Sequence, residues 1–139
     1  MASFNKFQQF VEYLAEKVFD LGADVLTIAL TATANAPVNT NTVLANLTQI
    51  SYTNLSSRVC TTSSSAQTTG TYKLVLADLV LTASGTVAAF QYVVLYDDTP
   101  TSPADPLIGW YDYGSALTLN NGETFTIDFD GSNGVLTIA

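Results

Sequence analysis

The side chains in this sequence best suited to chemistry are aspartates. Asp97, Asp98, Asp105, Asp112, Asp128 and Asp130 all fall in the last third of the chain. A glycosidase needs only two carboxyl groups held a fixed distance apart, one to donate a proton and one to attack or to activate water. Each of these aspartates, however, stands at a strand end or in a turn, where Asp is favoured on conformational grounds alone. Histidine is absent from the chain. Its absence removes the commonest general base, the Ser–His nucleophile pair and every zinc set that contains His. We therefore expect no enzyme, no catalytic residue and no cofactor.

Two acidic stretches could hold a hard cation. In the run Asp128-Phe129-Asp130-Gly131-Ser132-Asn133-Gly134, oxygen-bearing side chains alternate as in the start of a calcium loop. The distal bidentate Glu of such a loop is missing, and Asp-Gly and Asn-Gly are strong hairpin-turn signals. Asp97-Asp98 followed by Asp105 is a second acidic stretch, in a proline-bearing loop that needs no metal to explain it. The expectation is two turns and no metal site. Cys60, the only cysteine, excludes an intrachain disulfide and reads as a small buried residue, since no cation neighbours it in sequence.

Trp110, Tyr111 and Tyr113 could stack on a sugar or anchor a protein interface. Alternate residues of a strand face opposite ways, so Trp110 and Tyr111 cannot both be buried on one face. At least one of them is available to a partner. The formal net charge is −8, and Lys6, Lys17, Arg58 and Lys73 are the only cations. They are spread along the chain and form no basic patch, so nucleic acid and anionic membranes are not expected partners.

These residues must be positioned by β-structure. Nearly half of the 139 residues are apolar and few are charged, which suits one domain with a packed core over 1–139. Between residues 3 and 22, Phe4, Phe7, Val11, Leu14, Val18 and Leu21 recur at helical spacing, predicting one amphipathic helix with Gly22 at its C-terminal cap. From 24 to 139, short β-branched and aromatic runs alternate with Pro, Gly, Asn and Ser clusters. Strands are expected at 25–30, 43–50, 57–61, 71–76, 79–82, 90–97, 107–113, 123–129 and 135–138. The fold class is mainly β: an antiparallel β-sandwich or jelly roll preceded by one N-terminal amphipathic α-helix. Two longer loops, 31–42 with Pro37 and 97–106 with Pro100, Pro103 and Pro106, interrupt it. No apolar run approaches the length of a membrane span, and no signal-peptide pattern opens the chain.

Several stretches resemble a widespread group of small proteins of tailed bacteriophages. They are the opening Phe4-Asn5-Lys6-Phe7, the run from Ala36-Pro37-Val38-Asn39 to Gln49-Ile50, Val94-Leu95-Tyr96-Asp97-Asp98, Pro106-Leu107-Ile108-Gly109-Trp110-Tyr111-Asp112-Tyr113-Gly114 and Gly122-Glu123-Thr124-Phe125. The resemblance implies a virion structural protein of the capsid decoration or cement type. Such a protein would be assembled in the host cytoplasm, sit on the capsid exterior and bind the major capsid protein and copies of itself as a dimer or trimer. Trp110, Tyr111, Tyr113, Pro37, Asn39, Asp97, Asp98 and Pro103 are the expected interface residues. Alternatives are a neck, tail or fibre-associated protein, and a carbohydrate-binding module using Trp110 and Tyr113.

Overall fold

The computed structural model describes residues 2–139. Nine strands run in chain order: β1 Asn5–Lys6, β2 Leu26–Thr31, β3 Thr62–Thr68, β4 Thr71–Leu76, β5 Leu79–Thr82, β6 Phe90–Asp97, β7 Leu107–Leu117, β8 Thr124–Ile127 and β9 Leu136–Ile138. One short helix, α1 Phe10–Ala15, lies between β1 and β2. The strands form antiparallel sheets with the orders β1-β7-β6-β2, β3-β4-β9 and β5-β8. The molecule is thus mainly β. Among the described residues no helix is long and apolar enough to cross a membrane.

The four-stranded sheet is apolar on both faces, which is why β2 and β6 read as near-continuous apolar runs. Along β6, Val93 and Leu95 enter a large cluster with Leu26, Ile28 and Leu30 of β2. Leu74, Leu76, Leu81 and Ile127 from the other two sheets complete that cluster. Val94 and Tyr96 point the other way, into a smaller cluster with Phe7, Ala29 and Leu107, against which Leu44, Leu47 and Trp110 pack. Strand β8 buries one face only: Ile127 is buried and Phe125 half-buried, while Thr124 and Thr126 are exposed.

The N-terminal segment departs from the expected helix. Only Phe10–Ala15 is helical, and Val11, placed on the apolar stripe by its spacing, is 51% exposed. Lys17, at φ 64°, takes the left-handed conformation after the helix that the spacing assigns to Gly22. The physical reason is that the phenylalanines serve different layers. Phe7 is buried in the small cluster on one face of the four-stranded sheet, whereas Phe10 and Phe19 are buried in the large cluster on the other. A continuous helix offers its stripe to one surface and cannot supply both. The chain instead pairs Asn5 with Trp110 and Lys6 with Gly109. Phe7 N–H then bonds the Ile108 carbonyl at 3.2 Å, before the segment turns past the sheet edge.

Two expected strands are absent. Residues 43–50 form a 3-10 turn at Leu44–Asn46, with Asn46 Oδ1 accepting the Thr42 and Val43 N–H groups. Residues 57–61 contribute an isolated bridge, Thr27 to Val59, and not a strand. This stretch belongs to a longer cover for open sheet edges. Ile50 N–H bonds the Leu30 carbonyl, Ser56 N–H bonds the Thr82 carbonyl, and the Ile28 and Cys60 N–H groups donate to the Arg58 and Leu26 carbonyls. Covering an edge in this way removes a template for unwanted pairing. Strand β3, by contrast, lies outside the expected set. Its sequence TSSSAQT has no apolar alternation, and the pairing with β4 holds it in place.

Candidate interaction surfaces

Strand β7 positions the aromatic triplet, and its pleat divides it. Trp110 lies on the face of the small cluster, its ring 4.6 Å from that of Phe7 and tilted by 41°. Tyr111 and Tyr113 lie on the opposite face: Tyr111 is 5.1 Å from Phe4 and Tyr113 meets Phe125 edge-on at 5.5 Å. Trp110 and Tyr113 therefore cannot form one sugar platform, which corrects that pairing.

On the Trp110 side, a shallow depression of about 500 Å³ is lined by Phe4, Asn5, Lys6, Pro37, Val38, Asn39 and Trp110. The 31–42 loop reaches this face because Asn39 O accepts the Gln8 N–H at 2.9 Å and Asn41 Oδ1 caps the Val38 N–H at 2.9 Å. Asn5 Nδ2 donates to the Trp110 carbonyl at 3.3 Å. Val38 projects outward and is 53% exposed. Three of the expected interface residues, Trp110, Pro37 and Asn39, thus share one surface, joined by Phe4 and Val38, which were not among those expected there.

On the other side, a groove of about 340 Å³ runs between the β6–β7 pair and β8, lined by Ala2, Val93, Tyr111, Tyr113, Phe125, Thr126, Ile127 and Asp128. Tyr113 is half-exposed at its rim, and Phe125 is in turn braced by Phe90 at 5.4 Å. Burial and then the charge of Asp130 push the Tyr111 hydroxyl up to about 12, so it stays a neutral donor at any physiological pH. The closeness of Phe125 to Tyr113 depends on how β8 lies against β7.

The remaining expected residues sit in a third place. Asp97 has no exposed surface and so cannot contact a partner, a correction of its expected interface role. Asp98 is exposed and Pro103 half-buried in the loop that follows. Asp24, which the sequence did not mark, stands beside Asp97 at the entry to β2: Leu26 pairs with Asp97 across the β2–β6 ladder, and Asp24, two residues before Leu26, shares its face. No local pattern connects the two positions. Asp112 is spent on structure, accepting Gln91 Nε2 at 2.9 Å and Gly114 N–H at 2.7 Å.

The Asp128–Gly134 stretch is a turn. Asp130 accepts the Ser132 and Asn133 N–H groups at 2.9 and 2.7 Å and the Asn133 amide at 2.8 Å. These donors, first of all Asn133, hold its carboxyl below the usual range. Among the described residues, no three His, Cys, Asp or Glu side chains are grouped to hold a metal ion. Cys60 is buried, and desolvation pushes its thiol up to about 12.

No family model matches the sequence, no curated protein matches it, and no solved structure matches the fold.

Proposed function

We propose that this chain is a virion structural protein of tailed bacteriophages, a capsid decoration protein that stabilises the head shell through protein–protein contacts. In this reading the sheets form an antiparallel sandwich of the jelly-roll kind, made in the host cytoplasm and mounted on the capsid exterior. The observation that carries the proposal is the convergence of Trp110, Pro37, Val38 and Asn39 with Phe4 on one shallow surface. A half-buried tryptophan anchored by a second ring beneath it, with an exposed valine beside it, is the composition of an interface centre. The resemblance of the stretches around these residues to small tailed-phage proteins supplies the partner class. Self-association into a dimer or trimer places several copies of the surface on the shell, where modest contacts add through symmetry.

The test is sedimentation of purified protein with capsids that lack it, followed by measurement of capsid rupture temperature. Wild-type protein is expected to co-sediment and raise that temperature. Trp110→Ala should weaken binding by roughly 30-fold, the scale of an interface hot spot. Failure of the wild-type protein to bind shells rejects the proposal. Copy number separates the head from the neck and tail: hundreds per virion support decoration, and a few support a neck, tail or fibre position.

A second reading is favoured by the groove of Tyr111, Tyr113 and Phe125. Ring faces there can carry the C–H face of a sugar, while Asp128 and Thr126 stand by to accept and donate to its hydroxyls. A carbohydrate array should then give hits that Tyr113→Ala abolishes and Trp110→Ala leaves intact. An array without hits removes this reading.

A further inference from the structure

The corner where the chain enters β2 and leaves β6 sets Asp24 and Asp98 beside Asp97, and Asp105 beside Asp98. The nearby cation, Arg58, is committed elsewhere, to the Ile28 carbonyl and, at 3.6 Å, to the face of the Tyr52 ring. Its charge also reaches the Tyr96 hydroxyl, which burial and then the charge of Asp98 push up.

Asp97 is the member of this group that water does not reach. Its Oδ1 accepts the Thr99 N–H at 3.1 Å, but its buried Oδ2 has no donor. Leu26 pairs with Asp97 across the ladder and Asp98 N–H bonds the Val25 carbonyl, so Asp24, on the same face as Leu26, comes beside the Asp97 carboxyl; its Oδ2 already accepts the Asp20 N–H at 2.9 Å. Two ionised carboxylates cannot bond each other, because both only accept. A single proton resolves the contact.

We propose that Asp97 holds a proton, with its Oδ2 donating to Asp24, and that this bond latches the 98–105 loop to the entry of β2 until the proton is lost. The same joint carries Val25 N–H to Thr99 Oγ1 at 2.8 Å and Asp98 N–H to the Val25 carbonyl at 2.8 Å. Repulsion between the two carboxylates therefore acts directly on the bonds that hold the loop. Desolvation, then the contact with Asp24, raises the Asp97 carboxyl to about 8, which puts the opening just above neutral pH. Because the folded group holds its proton where the unfolded one has lost it, the latch stabilises fully below the ordinary carboxylate pKa. Its contribution falls as pH rises and is gone above about 8.

The test is an NMR titration of aspartate carboxyl carbons on the full chain, together with unfolding curves from pH 5 to 9 for the wild type and Asp97→Asn. One aspartate should titrate near 8 and vanish from the spectrum of the variant. The wild-type folding constant should drop by up to about tenfold per pH unit across this window, and the variant should lose that component. The amide introduced by Asp97→Asn would donate to Asp24 and its carbonyl oxygen would still accept from Thr99, so the variant should remain latched and exceed the wild type in stability at pH 9. No wild-type aspartate titrating above pH 6, or the same pH slope in both proteins, overturns the proposal. If Asp97→Asn does not fold, the wild-type titration decides alone. Calcium added at pH 9 serves as a control: strong stabilisation of the wild type but not of Asp97→Asn would mean that a cation and not a proton bridges the pair, and would also overturn it.

Discussion

At the scale of single residues, the polar groups of this protein are mostly occupied in holding its chain together. Tyr52 is an example: its hydroxyl donates to Gln49 at 2.6 Å and accepts the Leu30 N–H at 3.0 Å, pinning the edge cover to β2. Tyr52→Phe keeps the ring under Arg58 but leaves that N–H without a partner, so a loss of about 1–2 kcal/mol is expected in urea unfolding. Cys60 makes a complementary prediction. With its thiol raised to about 12 and its side chain buried, it should resist alkylation at pH 8 in the folded protein and react at once in denaturant. Rapid alkylation of the native chain would show that the 49–60 cover opens easily. The aspartates singled out by the sequence have separate fates: Asp112 and Asp130 accept backbone N–H groups, Asp97 is buried, and Asp128 lies at the rim of a groove.

At the scale of elements, the decisive feature is how the N-terminal segment meets β7. Gly109 allows it, because a Cβ there would stand 2.6 Å from the Asn5 carbonyl oxygen and also collide with the Phe4 ring. Gly109→Ala should therefore displace β1 from the sheet edge and loosen Phe4, with a loss of more than about 2 kcal/mol, within the range of backbone clashes in a packed site. Amide exchange would report it as lost protection at Phe7, whose N–H bonds Ile108. On the proposed function, the same change should also weaken capsid binding, since Phe4 and Asn5 line the Trp110 surface. Strand β3 shows the opposite relation. Its Ser and Thr side chains bury little, so its order derives from the ladder with β4 and from the Ser65 to Tyr72 hydroxyl contact at 2.8 Å.

At the scale of the whole molecule, one sheet serves two cores. Because β2 and β6 send alternate residues into each cluster, neither cluster can melt without the strands that form the other. Trp110, the single tryptophan, reports on the small cluster, while far-ultraviolet dichroism reports on all the strands. The two signals should trace one coincident denaturant transition. A tryptophan transition that came first would show that the Phe7 layer detaches on its own. The net charge of −8, with few cations to offset it, makes copies of the molecule repel one another.

Much of the β-structure was legible along the chain. The runs at 79–82 and 90–97 are rich in β-branched and aromatic residues, and they form strands over those bounds as β5 and β6. The alternation of Phe125 and Ile127 with threonines marked a half-buried strand, and parity alone showed that Trp110 and Tyr111 part company on β7. Local pattern states which residues favour burial. It does not state on which of two faces they will be buried, and so a helical period from Phe4 to Leu21 ended as a strand, a six-residue helix and a turn shared between two layers. Strand β3 was invisible because backbone pairing, not side-chain burial, makes it a strand. Asp24 meeting Asp97, and Trp110 meeting Pro37 and Val38, arise from chain segments far apart in sequence. The packing that brings them together is a property of the whole fold and leaves no mark on either segment alone.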